Sequence, residues 1–328
     1  MSAAERMVPV EGRLSRGNVA EGVAHTQAER AAMERSREEQ IEHERAQVAE
    51  HYQHEPAIFS MVLDRRLAYA TGVFHDPSED LDTAQNRKFA RIAAKLAIKP
   101  GEKVLDVGCG WGSNLLYLAQ HTEGVFHGIT LSERQRGEAM SRARAWGVDD
   151  RVTIDVCHVE ELAFAEESFD AILFSGSIVH MHNRAGIHGL VSRALKPGGR
   201  MLISDCYFPA TERGDRESEA TQYIFVEALG YCRLIGLWEE LSMIEKAGLD
   251  ILHVEDLTRH YALTLGKWID NVRRNRQRIE ALSPGFSRVL QSYMTVAKMS
   301  FARRTALEYM ILATKGQPAV DVGRWEIP

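Results

Sequence analysis

The sequence predicts an α/β fold, a parallel sheet with helices on both faces. Two observations carry that prediction. From Lys103 onward, short apolar runs alternate with longer helical stretches. A cluster of glycines also follows the first run and opens the helix behind it. Strands alternating with helices at this spacing are the mark of βα units, in which each strand returns parallel to the last through a helix.

The elements follow in order. VLDVG is a short apolar strand starting beside Lys103, and residues 113–121 form a helix. VFHGIT is the second strand, followed by a helix to about Trp146; VTIDVCHV is the third strand and AILFSG the fourth. RAGIHGLVSRALKPGG reads as a helix ended by Pro197-Gly198-Gly199, and RMLISDCYF as the fifth strand. The rhythm then breaks. Residues 207–237 are polar and then aromatic, and are expected to form a lid insertion. WEELSMIEKAGLDILHVEDL resumes as helix then strand. Residues 262–300 are largely helical, interrupted at Ser283-Pro284-Gly285, and ALEYMILATKG closes as a final strand.

Residues 1–22 read as a loose tail. Residues 25–50 are rich in helix formers and contain no Gly or Pro, with only Met33, Ile41 and Val48 as large apolar residues. A helix this polar buries little by itself. It is expected to be a solvated helix, or an arm that packs over a site or on another subunit. The sequence therefore divides into a tail and arm (1–50), a main domain (51–316) and a C-terminal tail (317–328).

Composition limits the function. With 328 residues and a net charge of −6, the chain carries no basic stripe of the kind that binds nucleic acid. No apolar run approaches the ~20 residues of a membrane span, so no stable membrane insertion is expected. The first residues, MSAAERMVPVEGRLSRG, lack the apolar core of a secretory signal. Cys109, Cys157, Cys206 and Cys232 form no CxxC pair. The expectation is a cytoplasmic, reduced protein with no structural metal.

The chemistry starts at Asp106-Val-Gly108-Cys-Gly110-Trp-Gly112, in strand–helix context. Glycines here let backbone amides approach a ligand closely. The spacing is GxGxG, whereas dinucleotide sites use GxGxxG. Asp106, two residues before the first glycine, would repel a pyrophosphate and suits a cationic ligand. S-adenosylmethionine carries an ammonium and a sulfonium and no phosphate, so it is the expected cofactor. Ser175 ends the fourth strand at the same sheet edge, where ligands of open α/β sheets sit.

Just beyond, SGSIVHMHN places His180 and His182 two residues apart. A metal is disfavoured, because no carboxylate or cysteine pair stands at ligand spacing. A structural role beside the cofactor and a proton-handling role both remain open for His180, and the latter for His182, since imidazole titrates near neutral pH. The aromatic stretch offers Tyr207, Tyr223, Phe225 and Trp238 as acceptor contacts, with Glu227 in the same run. Glu239 and Glu240 are expected on a solvated helix face.

VLDVGCGWG, with GITLSERQ at 128–135 and LKPGG at 195–199, resembles the class I S-adenosylmethionine-dependent methyltransferases. HYQHEPAIFSMVLDRRLAYATGVF (51–74), LDTAQNRKF (81–89) and TRHYALTLGKW (258–268) resemble, more narrowly, the cyclopropane fatty acid synthase and mycolic acid synthase group. The likeness runs over residues 51–316. It implies a Rossmann-like seven-stranded sheet with an α-helical lid and an N-terminal helical arm. It implies that Gly108, Gly110 and Gly112 line the methionine end of the cofactor, with Asp106 and Tyr69 nearby. It places Thr130, Leu131, Ser132 and Gln135 at the ribose, and His158 and Val159 at the adenine.

Cyclopropane synthases methylate an alkene, and a bound bicarbonate removes a proton to close the ring. The resemblance puts that bicarbonate among Thr71, Val179, Ser204, Cys206 and Tyr261. The group carries Cys, Glu, His, Ile and Tyr there, and only the tyrosine is kept. A valine side chain can hold no anion. The expected function is therefore methylation of a small, largely apolar natural product or lipid-like acceptor, on carbon of an alkene or prenyl group without ring closure. The candidate bases are His180, His182 and Tyr261. N- or O-methylation, a cyclopropane synthase and a non-methylating cyclase or binding protein are the alternatives. The arm is expected to make a homo-oligomer or to close the site.

Overall fold

The computed structural model describes residues 37–46, 56–162, 164–209 and 232–319. The chain divides into two units, Met1–Gln40 and Ile41–Pro328. Within the first, residues 37–40 are helical. The second holds everything that follows, and its residues 41–46 are also helical.

Seven strands form one sheet in the order β3-β2-β1-β4-β5-β7-β6. They are β1 (Lys103–Val107), β2 (Val125–Thr130), β3 (Val152–Val156), β4 (Phe169–Ser175), β5 (Leu195–Tyr207), β6 (Asp250–Asp256) and β7 (Leu307–Thr314). The first five are mutually parallel, joined by crossover connections as parallel neighbours must be. The last strand in the chain differs in direction: β7 runs antiparallel between β5 and β6. Its first residues therefore lie at the edge where the parallel strands end.

Before the sheet come α1 (Pro56–Val62) and α2 (Leu81–Leu96); α3 (Ser113–His121), α4 (Glu133–Ala145), α5 (Arg184–Ala194) and α6 (Leu237–Lys246) cover its faces. Strand alternation sends Val104 to one core with Leu115, Leu116 and Ala139, and Leu105 to the other with Ile187, Val191 and Ile244. α7 (Thr258–Arg274), α8 (Arg276–Leu282) and α9 (Phe286–Ala302) belong, with α1, to a third core around Trp268, Met294 and Phe301. Gly285 takes φ +85° to start α9, which accounts for the break expected there.

One boundary moves. α5 stops at Ala194, and Leu195–Gly199 belongs to β5 rather than to the helix. Pro197 cannot continue a helix, and the backbone N–H of Gly198 donates to the Lys315 carbonyl at the end of β7.

Candidate active site

The glycine loop leaves β1 and turns into α3 at the carboxyl edge of the sheet. Gly108 has φ +73°, and a Cβ there would sit 2.5 Å from the Ser177 Cβ. Gly110 has φ +53°, and a Cβ there would meet nothing nearer than Gln135 Nε2 at 3.9 Å. The first glycine is thus forced by packing, and the second leaves backbone open toward a ligand. Leu67, Tyr69, Lys88, Gly108, Gly110, Asn114 and Ser175 are among the residues around the resulting opening.

The polar atoms here test whether S-adenosylmethionine fits. Lys88 Nζ, Asn114 Oδ1, Gln135 Nε2 and Ser175 Oγ are buried and have no hydrogen-bond partner among the described residues, and the Asp106 carboxyl is buried beside the Leu115 backbone amide with no side-chain partner among them. Buried polar groups left without partners are costly, so a cluster of them implies a polar ligand. Burial pushes the Asp106 carboxyl up to about 7, against the pull of the Lys88 ammonium. Burial likewise pushes Lys88 down to about 8, opposed by Asp64, Asp106 and Glu308. A carboxyl, a cation and amides around one loop match the ammonium and carboxylate of an amino acid end, and the residues fit the cofactor. Thr130 donates to Gln135 Oε1 at 2.7 Å, and the Ser132 hydroxyl caps α4 by accepting from the Gln135 amide at 3.3 Å. Gln135 is thereby held with its Nε2 on the glycine-loop side. Leu131 lies between them at the end of β2. Lys88 and Asn114 were not foreseen from the sequence, although Lys88 stands within LDTAQNRKF.

A second pocket adjoins the first through Tyr69, Ala70 and Gly176. It offers about 670 Å³ of empty space, its open mouth included. One wall is aromatic: Tyr69, Tyr261, Tyr293 and Phe301. Tyr261 packs on Phe301 at 4.6 Å between ring centroids and edge-on to Trp268 at 6.1 Å, and Tyr69 lies 5.2 Å from Trp268. Thr71, Val179, Cys206 and Tyr261, four of the positions associated with bicarbonate, line this pocket. The fifth, Ser204, is buried behind it and donates to Glu308 at 3.0 Å.

Two carboxyls that sequence reasoning missed face the pocket, Asp205 and Glu308. Burial raises both. Asp205 accepts from the backbone amides of Val179 (3.2 Å) and Cys206 (2.8 Å), which fixes the 178–180 turn against β5. His180 lines the same pocket, with Nδ1 3.7 Å from the Cys232 sulfur. Burial pushes the Tyr261 and Tyr293 hydroxyls well above their ordinary range, so Tyr261 is a neutral donor rather than a ready base.

Other candidates sit elsewhere. His158 and His182 both bind Glu44 in the 41–46 helix, each at 2.8 Å. Burial pushes Glu44 up, but these hydrogen bonds outweigh it and hold the carboxyl below its ordinary value. Arg45 pairs with Glu161 beside them. The end of the arm thus packs over the chain's own 158–161 and 180–183 turns. His182 is held as a clasp rather than turned into the pocket. Val159 is buried in the core under the sheet. Tyr207, expected at the acceptor, is instead fully buried on the opposite sheet face, because it alternates with Cys206 along β5. Trp238, also expected there, is 62% exposed on α6. Tyr223, Phe225 and Glu227 lie outside the described residues. Glu240 is not on a solvated face: it is fully buried, bonded to Arg184 (2.5 Å) and His188 (2.6 Å). No cluster of three metal-ligating side chains occurs among the described residues.

Residues 39–309 match the family model described as "Mycolic acid cyclopropane synthetase". The chain is 29% identical over 292 residues to a protein named "Probable fatty acid methyltransferase" from Pseudomonas putida, covering 86% of this chain and 71% of that one. It is 29% identical over 279 residues to "Probable fatty acid methyltransferase Rv3720" from Mycobacterium tuberculosis, covering 83% and 63% respectively. The cyclopropane synthase MmaA2 from Mycobacterium tuberculosis shares the fold, with a TM-score of 0.78 over 83% of this chain and 98% of that one, at 20% identity.

Proposed function

The chain belongs to the mycolic acid cyclopropane synthetase family, and from that premise we propose that this S-adenosylmethionine-dependent methyltransferase methylates a carbon of a C=C bond in an apolar lipid-like or prenyl acceptor, without closing a cyclopropane ring. When bound, the cofactor supplies an electrophilic methyl group. Asp106, Lys88 and Asn114 would hold its amino acid end, and Gln135 with Ser132 its ribose.

The observation that carries the acceptor class is the aromatic wall. Methylation of an alkene leaves a positive charge on carbon, and the faces of Tyr69, Tyr261, Tyr293 and Phe301 stabilise a cation without quenching it as a nucleophile would. Two features argue against a bound bicarbonate. Val179 offers no polar side-chain atom, and Ser204 already donates to Glu308. An anion placed beside the Asp205 and Glu308 carboxyls would also be repelled once they ionise. We extend the proposal to residues 1–50, which would join two copies of the chain; light scattering that gave the same mass with and without them would refute this.

The test supplies the protein with S-adenosylmethionine carrying a ¹³C methyl and two acceptors, vesicles of a monounsaturated phosphatidylglycerol and a prenyl diphosphate. The proposal expects labelled methyl on carbon in a product that keeps one double bond. Label on nitrogen or oxygen of a wider acceptor panel, or a labelled cyclopropane methylene, would overturn it.

No helix among the described residues is long and apolar enough to cross a membrane.

A further inference from the structure

We propose that Glu308 is the base of the reaction, a carboxylate carried on the chain itself that removes the proton from the methylated acceptor cation. The inference rests on the alkene reading above and names the group that completes it.

β7 is antiparallel, so Glu308, its second residue, stands at the carboxyl edge of the parallel strands, directly opposite Cys206 in the register. Directly opposed residues on one sheet face, and their diagonal neighbours, are within reach of each other. Ser204 accordingly donates to Glu308 Oε1 at 3.0 Å, and the Cys206 thiol to Oε2 at 3.1 Å. Each oxygen accepts from one neighbour and keeps a second lone pair, and the residue lines the aromatic pocket. The backbone is fixed as well: the Glu308 amide donates to the Thr258 hydroxyl at 3.1 Å, and its carbonyl accepts from the Leu257 amide at 2.8 Å.

Glu308 is 3% exposed and forms no ion pair among the described residues. A buried carboxyl without a counter-ion opposes folding, so its presence calls for a use. Burial, then the nearby Asp205 carboxyl, push it up to about 8, while Cys206, Ser204 and Lys88 pull it down. Such a carboxylate, once ionised, is a far stronger base than an exposed one. Asp205 is the weaker choice: the nearby Arg184 guanidinium and the Val179 and Cys206 amides favour its ionised form and so weaken it as a base, and its carboxyl is used to tie the 178–180 turn to β5.

The step balances. The π pair of the acceptor forms the new bond to the methyl carbon as the sulfonium–methyl bond breaks with its electron pair kept on sulfur, so the sulfur departs as a neutral thioether and the neighbouring carbon of the acceptor becomes cationic. Glu308 takes a proton from a carbon next to that centre, and the C–H pair becomes the new double bond. The product leaves neutral and the carboxyl is protonated. Its proton must then return to solvent before the next turnover.

The test has two parts. Infrared difference spectra of the protein alone, recorded between pH 6 and pH 10, should show a buried carboxylic acid carbonyl band that disappears as pH rises. The band should be absent in Glu308→Gln and displaced in Ser204→Ala. Asp205, Cys206, Tyr261 and His180 line the same pocket and Lys88 lines the adjoining one; the variant spectra separate these groups, and Asp106, from Glu308. With ¹³C-methyl S-adenosylmethionine and the acceptor methylated by the wild type, Glu308→Gln should lower kcat by at least about 100-fold, as removal of a general base does. KM and cofactor affinity should stay within about twofold. Glu308→Ala should regain turnover with added acetate, which a purely structural role would not allow. If the wild type methylates an alkene but Glu308→Gln turns over normally, or acetate restores nothing, Glu308 is not the base and the alkene reading survives. If the wild type methylates only nitrogen or oxygen, both fail.

Discussion

Replacing Glu308 by Gln should make the protein more stable at alkaline pH and change little at acid pH. The carboxyl sits at about 8 in the folded chain against an ordinary 4.5. For an acid whose folded value is raised, the unfolded chain ionises first. The folded state therefore loses stability as pH climbs from about 4.5 to about 8, and the loss is complete above that. At about 1.4 kcal/mol per pH unit, the gap corresponds to the order of 5 kcal/mol. Gln keeps the shape and can accept from Ser204, but does not ionise. Urea unfolding of both proteins at pH 5 and pH 9 measures the difference directly, with Asp106 and Lys88 common to both. The variant's advantage should grow by several kcal/mol between the two pH values. An advantage independent of pH would mean that Glu308 is ionised throughout and is stabilised by neighbours in a way the reasoning omits.

Lys88→Met should weaken S-adenosylmethionine binding by about 10- to 100-fold, the worth of one charge-assisted hydrogen bond; calorimetry giving an unchanged Kd would contradict its place at the amino acid end. Gly108→Ala should cost about 1–3 kcal/mol of stability and abolish cofactor binding, because its Cβ would meet Ser177 at 2.5 Å with φ at +73°; a wild-type melting curve with wild-type affinity would refute the steric argument. Glu44→Ala should speed amide exchange across residues 41–46 and at His182. In the wild type, whose Glu44 carboxyl is held below 4.5, the clasp should persist at pH 7 and be lost only as pH falls through that lowered value. Loosening at a pH well above 4.5 would refute the role given to Glu44.

Much of the scaffold was legible in the sequence because strand and helix periods report burial locally. The helix at 113–121 and the strand VFHGIT form as read. The glycine loop was legible for a similar reason: its spacing encodes backbone shape. The acceptor pocket was not. ALEYMILATKG reads plainly as a strand, but no local pattern says that it enters the sheet antiparallel. Only that direction brings Glu308 to Ser204 and Cys206, about a hundred residues earlier in the chain. Tyr207 failed for the converse reason: one step of strand alternation from Cys206 puts it on the wrong face. Glu240 looked solvated because its partners, Arg184 and His188, lie on a different helix. His182 looked catalytic because Glu44, its clasp, sits in an arm whose packing the polar pattern of residues 25–50 does not show.

The most direct measurement follows the methyl group. Turnover of ¹³C-methyl S-adenosylmethionine with an unsaturated acceptor deuterated at the carbons flanking its double bond reports both the new bond and the lost proton. Label on carbon, a retained double bond and loss of one flanking deuterium would bear out alkene methylation ended by a base in the aromatic pocket. Label on a heteroatom, or on carbon in a cyclopropane with every flanking deuterium retained, would contradict it.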